Sequence, residues 1–161
     1  MSAGCFTVKV SKEHADMGDD ALYQKEFPVH GGDFDKAGEV STQIKAILKA
    51  AGIPDDLIRR VVIACYEAEM NVVIHADSGN IRFLLTPTNI QIYIRDRGPG
   101  IEDIEQAMKE GFSTASDEMR EMGFGAGMGL PNIKKSSDGF EITSTVGEGT
   151  ELKIVIEHNQ S

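Results

Sequence analysis

The chain has 161 residues, of which 40% are hydrophobic and 26% charged, and its formal net charge is −10 at pH 7. This length suits one well-packed domain rather than two, and the acidic balance disfavours direct binding to nucleic-acid phosphates. No stretch approaches the roughly 20 apolar residues of a membrane span, and the N-terminus lacks a secretory pattern, so we expect a cytoplasmic protein without nucleic-acid or membrane partners.

The first 35 residues are predicted to form a partly flexible N-terminal extension. Residues 1–20 are interpreted as polar, and Met17–Asp20 are expected to form a loop. Residues 21–29 suit an edge strand, because Pro28 near its end cannot donate to a sheet ladder. The domain proper is therefore expected to span residues 36–158.

Two helices follow. Apolar residues at helical spacing predict the first helix between Ala37 and Ala51, with Gly52 as its C-terminal stop. Pro54 suits the first turn of the second helix, and Asp55 and Asp56 suit the positive end of its dipole. The apolar stripe of this second helix continues to about His75.

The rest of the chain alternates between strands and helices. Strands are predicted at 80–86 and 89–95, a short helix at 102–109, a glycine-rich segment at 111–129, a helix at 130–137, and strands at 139–146 and 150–157. This order predicts an α/β fold in which helices pack on one face of a mixed sheet.

Glu67 and Asn71 are four residues apart on the second helix and so project from the same side. An isolated pair of this kind is most simply a solvated surface pair. Alternatively, the Asn71 amide oxygen can bind Mg²⁺, which keeps water and phosphate among its ligands, and Glu67 can accept a proton from a nucleophile.

A second motif is Asp96-Arg97-Gly98-Pro99-Gly100, which ends a strand. Its carboxylate can accept a hydrogen bond from an exocyclic amine such as that of adenine, and Gly98 and Gly100 let the backbone approach a ligand closely. The same residues are also typical of an ordinary turn, and the motif alone leaves both interpretations open.

Two further glycine motifs lie downstream. Gly125-Ala126-Gly127-Met128-Gly129 precedes Leu130 and a helix, so its free N–H groups and the helix dipole favour phosphate binding. It lacks the Lys-Ser/Thr of a Walker A loop. Gly147-Glu148-Gly149-Thr150 joins two strands and by itself predicts a hairpin turn.

These motifs, in this order, resemble the GHKL superfamily, which contains the ATP-binding domains of gyrase, Hsp90, histidine kinases and MutL. The resemblance covers about residues 36–157. It implies a two-layer sandwich, the Bergerat-type fold, with helices on one face of a mixed, mostly antiparallel sheet. It further implies that ATP and Mg²⁺ bind beneath a lid formed by residues 111–124.

The resemblance also assigns roles to single residues. It implies that Asn71 binds Mg²⁺, that Asp96 accepts from the adenine amine, and that Thr150 assists near the adenine. The remaining nucleotide contacts are assigned to the glycine motifs and the helix start that follows: Gly98, Gly100, Gly125, Ala126, Gly127, Met128, Gly129 and Leu130.

Within the superfamily, the chain looks most like the bacterial anti-sigma-factor serine/threonine kinases of the switch-kinase branch, a likeness carried by its size and the run from Glu110 to Thr114. This implies that Glu67 is the base for a serine or threonine on a STAS-domain antagonist, with a sigma factor or signalling complex as a further partner. Many members carry an arginine before the glycine loop, where this chain has Gly125, as in the switch-kinase branch. The alternative hypothesis is a nucleotide-dependent interaction module with little phosphotransfer. The sequence makes no prediction of oligomeric state.

Overall fold

A computed structural model describes residues 5–9, 21–109 and 129–158. Its strands form a six-stranded sheet in the order β1-β5-β6-β4-β3-β2. Their bounds are β1 Cys5–Lys9, β2 Tyr23–His30, β3 Ser78–Leu85, β4 Asn89–Arg97, β5 Gly139–Thr145 and β6 Gly149–Glu157. Every pairing described between them is antiparallel.

The described helices are α1 Glu39–Ala50, α2 Asp55–His75, α3 Ile104–Ala107 and α4 Gly129–Ser136, with a short 3-10 helix at Phe34–Lys36. They cover the sheet face towards which alternate strand residues point, as a period of two requires. The buried residues shared by this face and the helices include Ile44, Leu48, Val61, Ala68, Ile81, Phe83, Ile92, Ile133, Ile142 and Ile154. The fold is therefore a two-layer sandwich, and the predicted fold class is confirmed.

The start of α1 is held by a side chain from α2. Gly38 precedes the helix with a φ of +96° and cannot cap it with a side chain. The Glu69 carboxylate instead accepts hydrogen bonds from the backbone N–H groups of Gly38, Val40 and Ser41 at 3.0, 3.3 and 3.3 Å. These N–H groups have no partner within the helix, so Glu69 both satisfies them and fixes α1 against α2.

The structure refines several expectations. A mixed, mostly antiparallel sheet was predicted, and all the strand pairings within the described ranges are antiparallel. Strand β4 runs on to Arg97, so Asp96 lies within a strand and pairs with Gly79 rather than following the strand end. Strand β1 was not predicted, and its backbone pairs with β5 at the edge opposite β2. The domain boundary at residue 35 remains a prediction. None of the described helices combines the length and apolar character of a membrane span.

Candidate functional site

The first half of the candidate site lies where α2 meets the N-terminal end of α4. Glu67 and Asn71 are both half-buried on α2, and Gly129 is packed against them. A methyl group on Gly129 would lie 3.2 Å from Asn71 Oδ1 and 3.5 Å from Glu67 Oε2. The structure thus brings together three residues that the sequence assigned to one site.

The contacts between α4 and α2 fall in reverse chain order, which shows that the two helices run antiparallel. Gly129 lies at Asn71, and Asn132 Nδ2 donates to Glu67 Oε1 at 3.4 Å. Leu130, predicted to contact the nucleotide, is only 8% exposed and its side chain belongs to the core. Any nucleotide contact from Leu130 therefore has to come from its backbone.

The second half of the site is a corner between β4 and β6. Asp96 Oδ1 accepts a hydrogen bond from the Thr150 backbone N–H at 3.1 Å. Burial raises the pKa of the Asp96 carboxyl, although hydrogen bonds from the N–H groups of Thr150 and Gly98 act in the opposite direction. A half-buried carboxylate in this setting gains from a ligand that donates a hydrogen bond to it.

The Thr150 hydroxyl belongs to the same corner. Its Oγ1 lies 2.9 Å from Ser144 Oγ, and Ser144 Oγ also accepts from the Ile101 N–H at 2.7 Å. Both side chains are buried. Ser144 thereby joins the loop after β4 to the β5–β6 hairpin and orients the Thr150 hydroxyl, a role that no sequence motif indicated.

Two glycines of this corner, Gly100 and Gly149, lie where a side chain would collide with neighbouring backbone. Gly100 has a φ of +78°, and a methyl group there would lie 2.5 Å from the Thr145 carbonyl oxygen. A methyl group on Gly149, whose φ is +147°, would collide with the Asp96 carbonyl oxygen. The end of β4 and the loop after it pack backbone against backbone on the β5–β6 hairpin, so this close approach accounts for both glycines even without a ligand.

Helix α2 connects the two halves. A methyl group on Gly98 would lie 3.1 Å from Cβ of Ala76, at the C-terminal end of α2. With a rise of about 1.5 Å per residue, Asn71 lies about 7 Å and Glu67 about 13 Å back along the helix from Ala76. The Asp96 corner, Asn71 and Glu67 therefore follow one another along α2, as an elongated ligand would require.

Some predicted residues lie outside the described ranges. They are Gly125, Ala126, Gly127, Met128 and the segment 111–124. Besides Ser144, sequence reasoning missed Asn132, which contacts Glu67, and Glu69, which caps α1. Glu69 is 1% exposed, and its position within the apolar stripe of α2, four residues before the buried Val73, is a signal that could have found it. Asn132 carried no such signal.

An α/β sandwich with a helix-borne Glu and Asn, a strand-borne Asp beside tightly packed glycines, and a glycine at a helix start defines a class of nucleotide-binding domain. The family model of the histidine kinase-like ATPase domain matches residues 33–156, and the chain belongs to this family.

Characterised relatives are similar over most of the domain. The serine/threonine-protein kinase RsbT of Bacillus subtilis (strain 168) is 34% identical over 100 residues, which cover 60% of this chain and 69% of the relative. The anti-sigma F factor of Caldanaerobacter subterraneus subsp. tengcongensis is 35% identical over 102 residues, with coverages of 60% and 68%. That of Thermoanaerobacter sp. (strain X514) is 34% identical over 118 residues, with coverages of 73% and 75%. The predicted family is thus confirmed.

The described residues fit ATP and Mg²⁺ in chemical type. Asn71 offers a neutral oxygen at the glycine of α4, and Mg²⁺ takes few protein oxygens when phosphates and water complete its shell. Asp96 offers an acceptor beside the Thr150 hydroxyl, which suits the donor and acceptor edge of adenine. When bound, Mg-ATP would supply the phosphoryl group, and this chain would hold and orient it.

Proposed function

We propose that the protein is an ATP-dependent serine/threonine kinase that phosphorylates a STAS-domain antagonist in a bacterial partner-switching pathway. The observation that carries the proposal is Glu67 beside Asn71 and Gly129, because it places a carboxylate next to a metal-type oxygen at the start of a helix. The names of the relatives, a serine/threonine kinase and anti-sigma factors, support the same class of activity.

Glu67 acts as the base in this proposal. It takes the proton of the acceptor hydroxyl while the acceptor oxygen bonds to the γ-phosphorus and the β–γ bridging oxygen leaves with ADP. Asn71 contributes an oxygen to Mg²⁺. Asp96 accepts from the adenine amine and so sets the position of the other end of the nucleotide.

A protein acceptor is supported by the surface around Glu67. Ile63 and Tyr66 on α2 are 38% and 39% exposed, and they are two of the four large hydrophobic side chains exposed within the described ranges. Ile63 lies one turn before Glu67, and Tyr66 is its neighbour in sequence. Apolar side chains beside a catalytic carboxylate suit the surface of a folded partner better than they suit a free hydroxyl compound.

The test is transfer of label from Mg-[γ-³²P]ATP to purified STAS-domain proteins of the same organism. We expect at least one to be labelled on serine or threonine. Glu67→Gln should abolish labelling while ATP affinity, measured by calorimetry, stays within about twofold, since the loss of a general base costs about 10²- to 10⁴-fold in rate. Glu26→Gln, at an exposed position on β2, is the matched control and should label normally.

A second candidate is a nucleotide-dependent interaction module that binds a sigma factor or signalling complex with little phosphotransfer. It is favoured by relatives named as anti-sigma factors and by Gly125 at the position of the usual arginine. In that case Glu67→Gln would leave partner regulation intact, and no STAS protein would be labelled although ATP binds. Regulation that disappears with Glu67→Gln would exclude this candidate.

A further inference from the structure

Helices α2 and α4 meet at three successive contacts along α2, here called levels. The level farthest from the proposed nucleotide-binding residues is an ion pair with an additional hydrogen bond. Arg60 of α2 donates from Nε to the backbone oxygen of Ser136 at 3.0 Å, and its Nη2 lies 3.1 Å from Asp138 Oδ1. Glu67 and Asn132 form the middle level. Asn71 and Gly129 form the third.

Asp138 ties this contact to the sheet. Its Oδ2 accepts from the Glu157 N–H at 2.8 Å, and its own N–H donates to the Val155 oxygen at 2.9 Å. Both partners are on β6. Arg60 therefore connects α2 both to the C-terminal end of α4, through Ser136, and to the sheet, through Asp138.

Gly129 has no side chain that could contact Asn71 or Glu67, so its position depends on the placement of α4. Leu130 and Ile133 of α4 are buried in the core, but apolar burial is non-directional. The Asn132–Glu67 contact is long, at 3.4 Å. A helix moves nearly as a rigid body, so restraint at its C-terminal end limits sliding and rotation at its N-terminal end. The Arg60 side chain presents two donors in a fixed fork and meets two different acceptors, which restrains both motions.

We propose that Arg60 is a positioning residue for the nucleotide site: through Ser136 and Asp138 it holds α4 in register on α2, and so places Gly129 at Asn71 and Glu67. This inference rests on the proposed function only in taking ATP as the ligand. It requires no phosphotransfer and no partner.

The first experiment compares ATP binding by the full chain and its variants, by calorimetry in Mg²⁺. Arg60→Ala and Asp138→Asn should each raise the Kd for ATP by about three- to tenfold, because misplacement by about 1 Å is costly at a preorganised site. Arg60→Lys keeps the charge but loses the fork, and should lie between Arg60→Ala and the wild type. Arg59→Ala is the control, since it removes an exposed arginine one residue earlier, and should bind as the wild type does.

The second experiment needs no nucleotide. Amide hydrogen exchange in residues 133–136, whose N–H groups can donate within α4, should be faster in Arg60→Ala than in Arg59→Ala, and exchange in β3 and β4 should be the same in both. Wild-type ATP affinity in Arg60→Ala and Asp138→Asn, or unchanged exchange at 133–136, would overturn the inference. Acceleration throughout the sheet would also overturn it, because it would show only general destabilisation. A kinase assay that labels no partner would refute the proposed activity and leave these results standing.

Discussion

The backbone N–H of Thr150 donates to the Asp96 carboxylate although 54 residues separate them. This bond joins β4 to the start of β6 at the corner where Gly100 and Gly149 allow the end of β4 and the loop after it to approach the β5–β6 hairpin closely. Because Asp96 is also the proposed acceptor for adenine, the contact that shapes the corner is made by the same side chain that would bind the ligand.

Replacing Asp96 by Asn should weaken ATP binding. The substitution removes a charged acceptor, which typically contributes about 1.5–3 kcal/mol, or roughly ten- to a hundredfold in Kd. Calorimetry with Mg-ATP measures the change. Asp56→Asn, at an exposed position in the first turn of α2, is the control, and equal affinities for the two variants would refute the adenine-binding role of Asp96.

Gly129→Ala should weaken ATP binding without lowering the free energy of unfolding. The added methyl group would stand 3.2 Å from Asn71 Oδ1, so Asn71 would have to shift and Mg-ATP affinity should fall by about tenfold, or about 1.4 kcal/mol. Alanine is the better helix former, by up to about 1 kcal/mol, so the free energy of unfolding should not decrease. Lys134→Ala, at an exposed position of the same helix, is the control and should leave affinity unchanged. If Gly129→Ala binds equally well, Gly129 is not part of the binding site.

Gly149→Ala should destabilise the protein more than Gly147→Ala. Both glycines have positive φ, +147° and +84°, so both substitutions introduce backbone strain. Only at Gly149 does the methyl group meet another atom, the Asp96 carbonyl oxygen, whereas nothing lies within 4 Å of one on Gly147. We expect about 1 kcal/mol at Gly147 and at least about 2 kcal/mol at Gly149 by urea denaturation. Similar losses at both positions would show that the start of β6 is not in close contact with the backbone of Asp96.

Glu69→Gln should alter how stability depends on pH. Burial raises the pKa of the Glu69 carboxyl above its ordinary 4.5, despite the hydrogen bonds from Ser41, Gly38 and Val40. A raised folded-state pKa means that the folded state holds the proton more tightly. Protonation of Glu69 therefore stabilises the folded state. This stabilisation is fully present below pH 4.5 and is lost as the pH rises through the folded-state pKa.

Wild type and Glu69→Gln should accordingly differ most at acidic pH, by an amount that shrinks towards neutrality. At every pH the variant should lose stability, because its amide NH₂ cannot accept one of the three backbone N–H groups; an unsatisfied buried donor costs about 1–3 kcal/mol. Urea denaturation at several pH values measures both effects. A stability difference that grows from acidic to neutral pH would contradict the raised pKa.

Local patterns predicted most of the architecture. The extents of α1, α2 and α4 and of the two hairpins followed from apolar periodicity and from the turn residues between them, since a half-buried element must repeat its apolar residues at its own period. Strand β1 was missed because its five residues, Cys5–Lys9, were predicted to belong to a polar, partly flexible extension, whereas pairing at a sheet edge needs only backbone groups. The role of Glu69 was missed for a different reason: its acceptor capacity is used by N–H groups about 30 residues away.

The sequence by itself determined the family, the two-layer architecture and the residue types of a nucleotide site, because each motif is local and its order along the chain is distinctive. Only the tertiary structure decided which of these residues meet. It placed Gly129 against Asn71 and Glu67 and joined Asp96 to Thr150. It also showed that Gly100 and Gly149 lie where the backbone near the end of β4 and the β5–β6 hairpin leave no room for a side chain. Spacing predicts which face of an element a residue occupies, but the partner of a buried carboxylate depends on how the elements pack.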